Sequence, residues 1–195
     1  SRIYPQLGFD RFLSITDFEG APTYHDYTSD EATYDKVLEL LEQTDEPLFV
    51  FDVTMQNHSG YDTGIIPESD KLRYSAPGLS AGTRLQLNEY LACINESDRA
   101  LRNFLSALKK VDEPVLLVFF GDHQPFFTKE MEEIYNPRGS DLDHVVREYQ
   151  TSYLVWSNYR IAGAESPTNG IFTSINYLGI DMLRRIGAPL TTFQK

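Results

Sequence analysis

One cysteine, Cys93, stands among the 195 residues, which excludes an intrachain disulfide and a thiolate metal cluster. It falls inside a helical pattern, where a lone cysteine acts as a small buried hydrophobe. Long apolar runs are missing too. None approaches the roughly 20 residues that a membrane span requires, and Ser1 to Phe9 has neither the basic start nor the apolar stretch of a secretion signal. A membrane anchor is therefore expected to lie outside these residues. Positive charge is scarce, with 17 Lys and Arg against 29 Asp and Glu. No cluster of Lys and Arg forms the patch that a phosphate backbone needs, so nucleic acid is excluded as a partner. An anionic substrate stays open, provided that a divalent cation supplies the local positive charge. The Gly-rich turns of a Walker loop, a dinucleotide fingerprint or a nucleophile elbow are absent as well.

What is present describes a folded chain. Aromatic residues make up 13% of the sequence and no stretch is depleted of apolar side chains, which argues against disorder. The length suits one domain spanning residues 1–195, and no repeat interrupts it. After 28 irregular residues, Thr28 and Glu31 have capping-box spacing, and Tyr34, Val37, Leu38 and Leu41 recur on one helical face. The spacing predicts a helix over 29–43. Leu48 to Met55 reads as a largely buried strand, ending in the polar cluster Gln56-Asn57-His58-Ser59-Gly60. Leu87, Leu91, Ile94, Leu101, Leu105 and Leu108 mark a stripe along a long helix.

A second strand, Val115 to Phe120, is apolar at every position, as in an inner strand of a parallel sheet. Gly121-Asp122-His123 follows it directly. An acidic, loop-rich region over 128–143 leads to a third strand near 151–156. A helix carrying Ile175, Leu178, Met182 and Ile186 closes the chain and stops at Gly187. The alternation of elements is that of an α/β protein.

Ligands of open α/β sheets gather beyond the carboxyl ends of the strands. His58 and the pair Asp122 and His123 occupy that position, so both clusters are expected to face one crevice. A carboxylate beside an imidazole suits a divalent ion such as Mn²⁺, Zn²⁺ or Mg²⁺. On spacing alone, Asp122 as a helix cap remains an open alternative, and a hydrogen-bonded loop histidine is the favoured reading of His58. His25 and His144 have no strand-end placement and receive no role. Asp98 is expected to pair with Arg99 or Arg102, and Phe126 and Phe127 read as packing.

Three segments resemble, in order, the distal part of lipoteichoic acid synthase and related phosphoglycerol transferases. They are Phe51 to Tyr61 with its Gln-Asn-His motif, the helix from Tyr90 to Leu101, and Val118 to His123. Leu7 to Phe12 and Thr28 to Glu31 resemble further segments of that family. The resemblance implies a sulfatase-like domain of the alkaline phosphatase superfamily, a sandwich with a central, mostly parallel sheet flanked by helices, of which this chain is the C-terminal portion. It also implies a threonine nucleophile that forms a phosphoglycerol intermediate, a divalent ion, usually manganese, and a phosphoglycerol-bearing lipid or polymer as substrate.

By the same resemblance, Asp122 and His123 are metal ligands and His58 contacts the phosphate. The nucleophile is expected upstream, since neither Thr28 nor Thr54 has a matching setting, and this chain by itself is expected to be inactive. The parent protein is expected on the outer face of the bacterial cytoplasmic membrane. A sulfatase or phosphoethanolamine transferase of the same superfamily is the nearest alternative, and a non-catalytic α/β domain is the alternative of another class.

Overall fold

The computed structural model describes residues 3–58, 60–72, 77–161 and 170–194. Ser59, inside the polar cluster after the first expected strand, lies outside them. The chain's contacts divide it into two compact units, Ser1–Ala107 with Pro125–Arg147, and Leu108–Gln124 with Glu148–Lys195.

In the first unit, a two-residue turn with left-handed His25 and Asp26 joins β1, Thr23–Tyr24, to an antiparallel β2, Tyr27–Thr28. Helix α1, Asp30–Glu42, begins one residue later than the capping-box spacing suggests. Ser29 rather than Thr28 is its cap, and the Ser29 hydroxyl accepts from the Ala32 amide at 3.2 Å.

Leu48 to Met55 joins no sheet among the described residues, and Phe49, Phe51 and Val53 are exposed. This corrects the expected buried strand. An apolar run needs a neighbour with open backbone donors and acceptors to form a ladder, and none of the described residues supplies one here.

Helix α2, Ala81–Leu108, runs for 28 residues. Its buried face coincides only in part with the predicted leucine stripe, of which Leu108 is buried and Leu87, Leu91, Leu101 and Leu105 are half-buried. Thr83, Glu89, Ala92, Cys93, Ala100, Phe104 and Leu108 are buried, whereas Ile94 is exposed. Ala92 and Cys93 meet Tyr61, Ile66 and Phe127 in the core of this unit. Phe127 thus packs as expected, but its neighbour Phe126 is exposed. Asp98 pairs with Arg102 one turn on, as the sequence suggested.

The stretch expected as an acidic loop holds two helices, α3, Lys129–Tyr135, and α4, Asp141–Glu148. The Thr128 and Ser140 hydroxyls accept from the amides of Met131 and Asp143. The acidic residues Glu130, Glu132, Asp141 and Asp143 lie in the first turns, where negative charge opposes the helix dipole favourably.

The second unit is built on β3, Leu116–Phe120, paired with β4, Tyr153–Ser157. The register sets Leu116 against Ser157, Val118 against Val155 and Phe120 against Tyr153. The pairing is antiparallel, where the sequence suggested a parallel neighbour. A uniformly apolar strand signals burial on both faces and carries no information on the direction of its neighbour.

Asn158 closes the far end of this ladder. Its Oδ1 accepts from the Val115 amide at 2.8 Å, and its Nδ2 lies 2.9 Å from the Glu113 carbonyl and 3.0 Å from that of Val111. Helix α5, Ile175–Arg185, buries Leu178 and ends before Gly187, whose φ of +69° is the left-handed conformation predicted for a helix stop. The α/β class read from the sequence holds.

Candidate active site

The carboxyl end of β3 delivers Gly121, Asp122 and His123 into a loop anchored on its partner strand's entry. The Gly121 amide donates to the Ser152 carbonyl at 3.1 Å, and the Thr151 hydroxyl donates to the Gly121 carbonyl at 2.7 Å. A side chain at Gly121 would place its Cβ 3.3 Å from Thr151 Cβ. Close approach rather than a turn therefore favours glycine here.

Asp122 Oδ1 accepts from the His123 amide at 2.9 Å, and His123 Nδ1 donates to the Gln124 carbonyl at 2.9 Å. That bond selects the tautomer with the lone pair on Nε2. Nε2 in turn lies 3.6 Å from Asp122 Oδ2, and both side chains are exposed. Two electron-pair donors thus stand within one ion's reach of each other, a hard carboxylate oxygen and a borderline imidazole nitrogen.

The pair fits a divalent ion as a partial ligand set. Among the described residues, no group of three or more His, Cys, Asp or Glu side chains forms a metal cage. Asp122 also borders an open cleft of about 850 Å³, lined by Phe120, Thr151, Tyr153, Trp156 and Arg185 among others.

His58 belongs to the first unit. Its amide donates to the Met55 carbonyl at 2.9 Å, and its ring lies 5.9 Å from that of Tyr27. The two residues before it are anchors. Gln56, 2% exposed, accepts from the Asp30 amide at 3.0 Å and donates to the Ser97 hydroxyl at 3.1 Å, while Asn57 donates to the same hydroxyl at 2.8 Å. The Ser97 hydroxyl in turn donates a hydrogen bond to the Asp30 carboxylate. Burial pushes the Asp30 carboxyl up from the ordinary carboxylate range. The Gln-Asn-His motif therefore works as two fixed amides and one exposed imidazole.

Sequence reasoning passed over His25 and Glu89. His25 is 6% exposed and lies 3.2 Å from the equally buried carboxylate of Glu89. The available signal was a single acid at position 89 within the helical pattern of α2, and hydropathy alone reads that as a solvated side chain.

Comparison with known proteins gives the class. The Sulfatase family model matches residues 1–180, and the chain belongs to that family, within the alkaline phosphatase superfamily. The capsular polysaccharide biosynthesis protein RkpI of Rhizobium meliloti is 29% identical over 137 residues, which cover 69% of this chain and 23% of that protein. The lipoteichoic acid synthase-like YvgJ of Bacillus subtilis is 28% identical over 125 residues, 62% of this chain and 19% of that one.

The structure of Streptococcus pyogenes phosphoglycerol transferase GacH, in complex with sn-glycerol-1-phosphate, has the same fold. It matches with a TM-score of 0.78 at 22% identity, over 99% of this chain and 47% of that one. The chain spans between 19% and 28% of the length of the curated relatives it matches. Among the described residues, no helix is long and apolar enough to cross a membrane.

Proposed function

We propose that this chain is part of a metal-dependent phosphoglycerol transferase, acting on a phosphodiester of a lipid or cell-envelope polymer at the outer face of the cytoplasmic membrane. Asp122 and His123 hold the divalent ion, manganese by preference, and His58 contacts the phosphate. The nucleophilic threonine comes from a part of the protein outside this chain, which by itself is inactive.

The observation that carries the reading is the Asp122–His123 pair, with the His123 tautomer set by Gln124 and two donor atoms 3.6 Å apart. The family membership, the lipoteichoic acid synthase-like relative and the fold shared with a phosphoglycerol transferase support it.

The chemistry that such an ion supplies is Lewis-acid stabilisation of the phosphoryl oxygens and activation of a weak hydroxyl nucleophile. The chain's own part is positional. Asp122 presents its carboxylate oxygen, His123 presents Nε2, and the Gln124 carbonyl keeps that imidazole from turning. His58 offers a ring N–H to a phosphoryl oxygen, where charge spread over the transferred group needs donors around it.

The test is Mn²⁺ calorimetry on the full-length protein, wild type beside an Asp122→Ala, His123→Ala double variant. Binding in the wild type alone supports the site. Equal binding in both removes it.

A further inference from the structure

His25 is one of two histidines to which the sequence setting assigns no role, yet it is among the least exposed polar residues of its unit. At 6% exposure it occupies the β1–β2 turn with φ +53°, a left-handed conformation that a residue with a side chain adopts at some cost. Its Nδ1 lies 3.2 Å from the Gln56 carbonyl, and its Nε2 lies 3.2 Å from both the Gly60 carbonyl and Glu89 Oε1. All three partners are acceptors. Each ring nitrogen thus meets at least one oxygen of the loop or of Glu89. Gln56 and Gly60 bracket His58, so the ring bridges the two sides of the loop that carries it.

Glu89 completes the arrangement from α2. It is 8% exposed, and its carboxylate accepts from His25, from the Thr63 hydroxyl, from the Thr63 amide at 3.3 Å and from the Gly64 amide at 3.0 Å. Tyr61 lies parallel to the His25 ring, with centroids 5.7 Å apart and planes 7° from parallel. One imidazole thus gathers the carbonyls of the loop and one carboxyl group gathers its amides. Two apolar side chains of equal volume would fill the space without holding either set.

We propose that His25 and Glu89 form a buried, hydrogen-bonded clamp that fixes Gln56, Gly60, Thr63 and Gly64 and so holds His58 in register with the transferred phosphate. The proposal rests on the assignment of His58 to that phosphate. Both members are positioning residues, because neither is exposed to a substrate.

The experiment uses the full-length protein with Mn²⁺ and phosphatidylglycerol vesicles, following diacylglycerol release. Wild type is compared with His58→Ala, Glu89→Gln, Glu89→Ala and Thr63→Val, and the folded state of each is checked by near-ultraviolet circular dichroism. The clamp predicts that folded Glu89→Ala loses between about tenfold and 100-fold in kcat, the scale of a misplaced group, with little change in KM. Glu89→Gln keeps one acceptor oxygen and is expected to recover part of that loss, which a purely structural role would not produce.

Wild-type kcat in folded clamp variants, with His58→Ala inactive, overturns the clamp and leaves the reading of the site intact. Full turnover in His58→Ala, or none in the wild type, overturns that reading and the clamp with it. Should the Glu89 variants fail to fold, Thr63→Val decides, since it removes one donor to the carboxylate and, besides that, only a long contact from the Ile65 amide at 3.4 Å. Unchanged kcat there overturns the proposal, and a fall in kcat supports it.

Discussion

Tyr34 on α1 and Phe104 on α2 stack ring on ring, with centroids 4.7 Å apart and planes 10° from parallel. Both are buried, so this contact ties the two long helices of the first unit together. The Tyr34 hydroxyl finds no hydrogen-bond partner among the described residues, and burial pushes its ionisation upward.

A buried hydroxyl without a partner costs about 1–3 kcal/mol. Tyr34→Phe is therefore expected to raise stability by about 1 kcal/mol, whereas Phe104→Ala is expected to lower it by about 3–5 kcal/mol. Urea unfolding followed by tyrosine fluorescence measures both. A loss of stability in Tyr34→Phe would show that the hydroxyl is bonded after all.

Asp30 makes stability depend on pH. Burial raises its carboxyl above the ordinary range, partly opposed by the Ser97 hydroxyl, and Asp52 adds to the rise. For an acid raised in the folded state, the favourable contribution is complete below the unfolded pKa of about 3.9 and is lost as pH climbs through the folded value. Above that point, the fold must bury a carboxylate. Asp30→Asn removes the penalty while keeping an acceptor for Ser97. Its urea midpoint, relative to wild type, is expected to move upward between about pH 4 and about pH 7. A difference that stays flat across that interval would show that Asp30 titrates normally.

The elements read correctly from the sequence are those whose information is local. Helix α5 was legible from the spacing of Ile175, Leu178 and Met182 with Gly187 beyond it, and β3 from an unbroken apolar run. Helices α3 and α4 were not legible, because acidic first turns behind Thr128 and Ser140 look like polar loop until the caps are seen. That Asp122 and His123 stand together at a strand end was legible because the two are adjacent, but the tautomer set by the Gln124 carbonyl needed coordinates. His25 was illegible for the opposite reason. Its partners Gln56, Gly60 and Glu89 lie 31, 35 and 64 residues away, and no periodicity reports a contact of that kind.

Cys93 is expected to resist chemistry in the native protein. It is 0% exposed, and burial pushes its thiol up to about 12, with Glu89 and Asp30 adding to the rise. The thiolate is the reactive form, so neutral solution offers almost none. A disulfide reagent is expected to label one thiol per chain in urea and to label the folded protein only at the rate of unfolding. Rapid labelling without denaturant would mean that the core around Tyr61 and Phe127 opens readily.

Gly121 links the fold to the proposed metal pair, Asp122 and His123. An alanine there sets its Cβ against Thr151 Cβ at 3.3 Å, and Thr151 has little freedom to withdraw because its hydroxyl is bonded to the Gly121 carbonyl. The loop must move instead, and Asp122 and His123 move with it. Overpacking of this kind costs about 1–3 kcal/mol, so Gly121→Ala is expected to fold with modestly reduced stability. A ligand pair displaced by a few tenths of an ångström binds less well, and an affinity loss of about tenfold corresponds to only 1.4 kcal/mol. Calorimetry with Mn²⁺ on the full-length Gly121→Ala protein, beside thermal unfolding without added metal, separates the two effects. Weakened binding in a folded protein would tie the Gly121–Thr151 contact to the metal site, and unchanged affinity would show that the ligand pair is indifferent to the strand end that carries it.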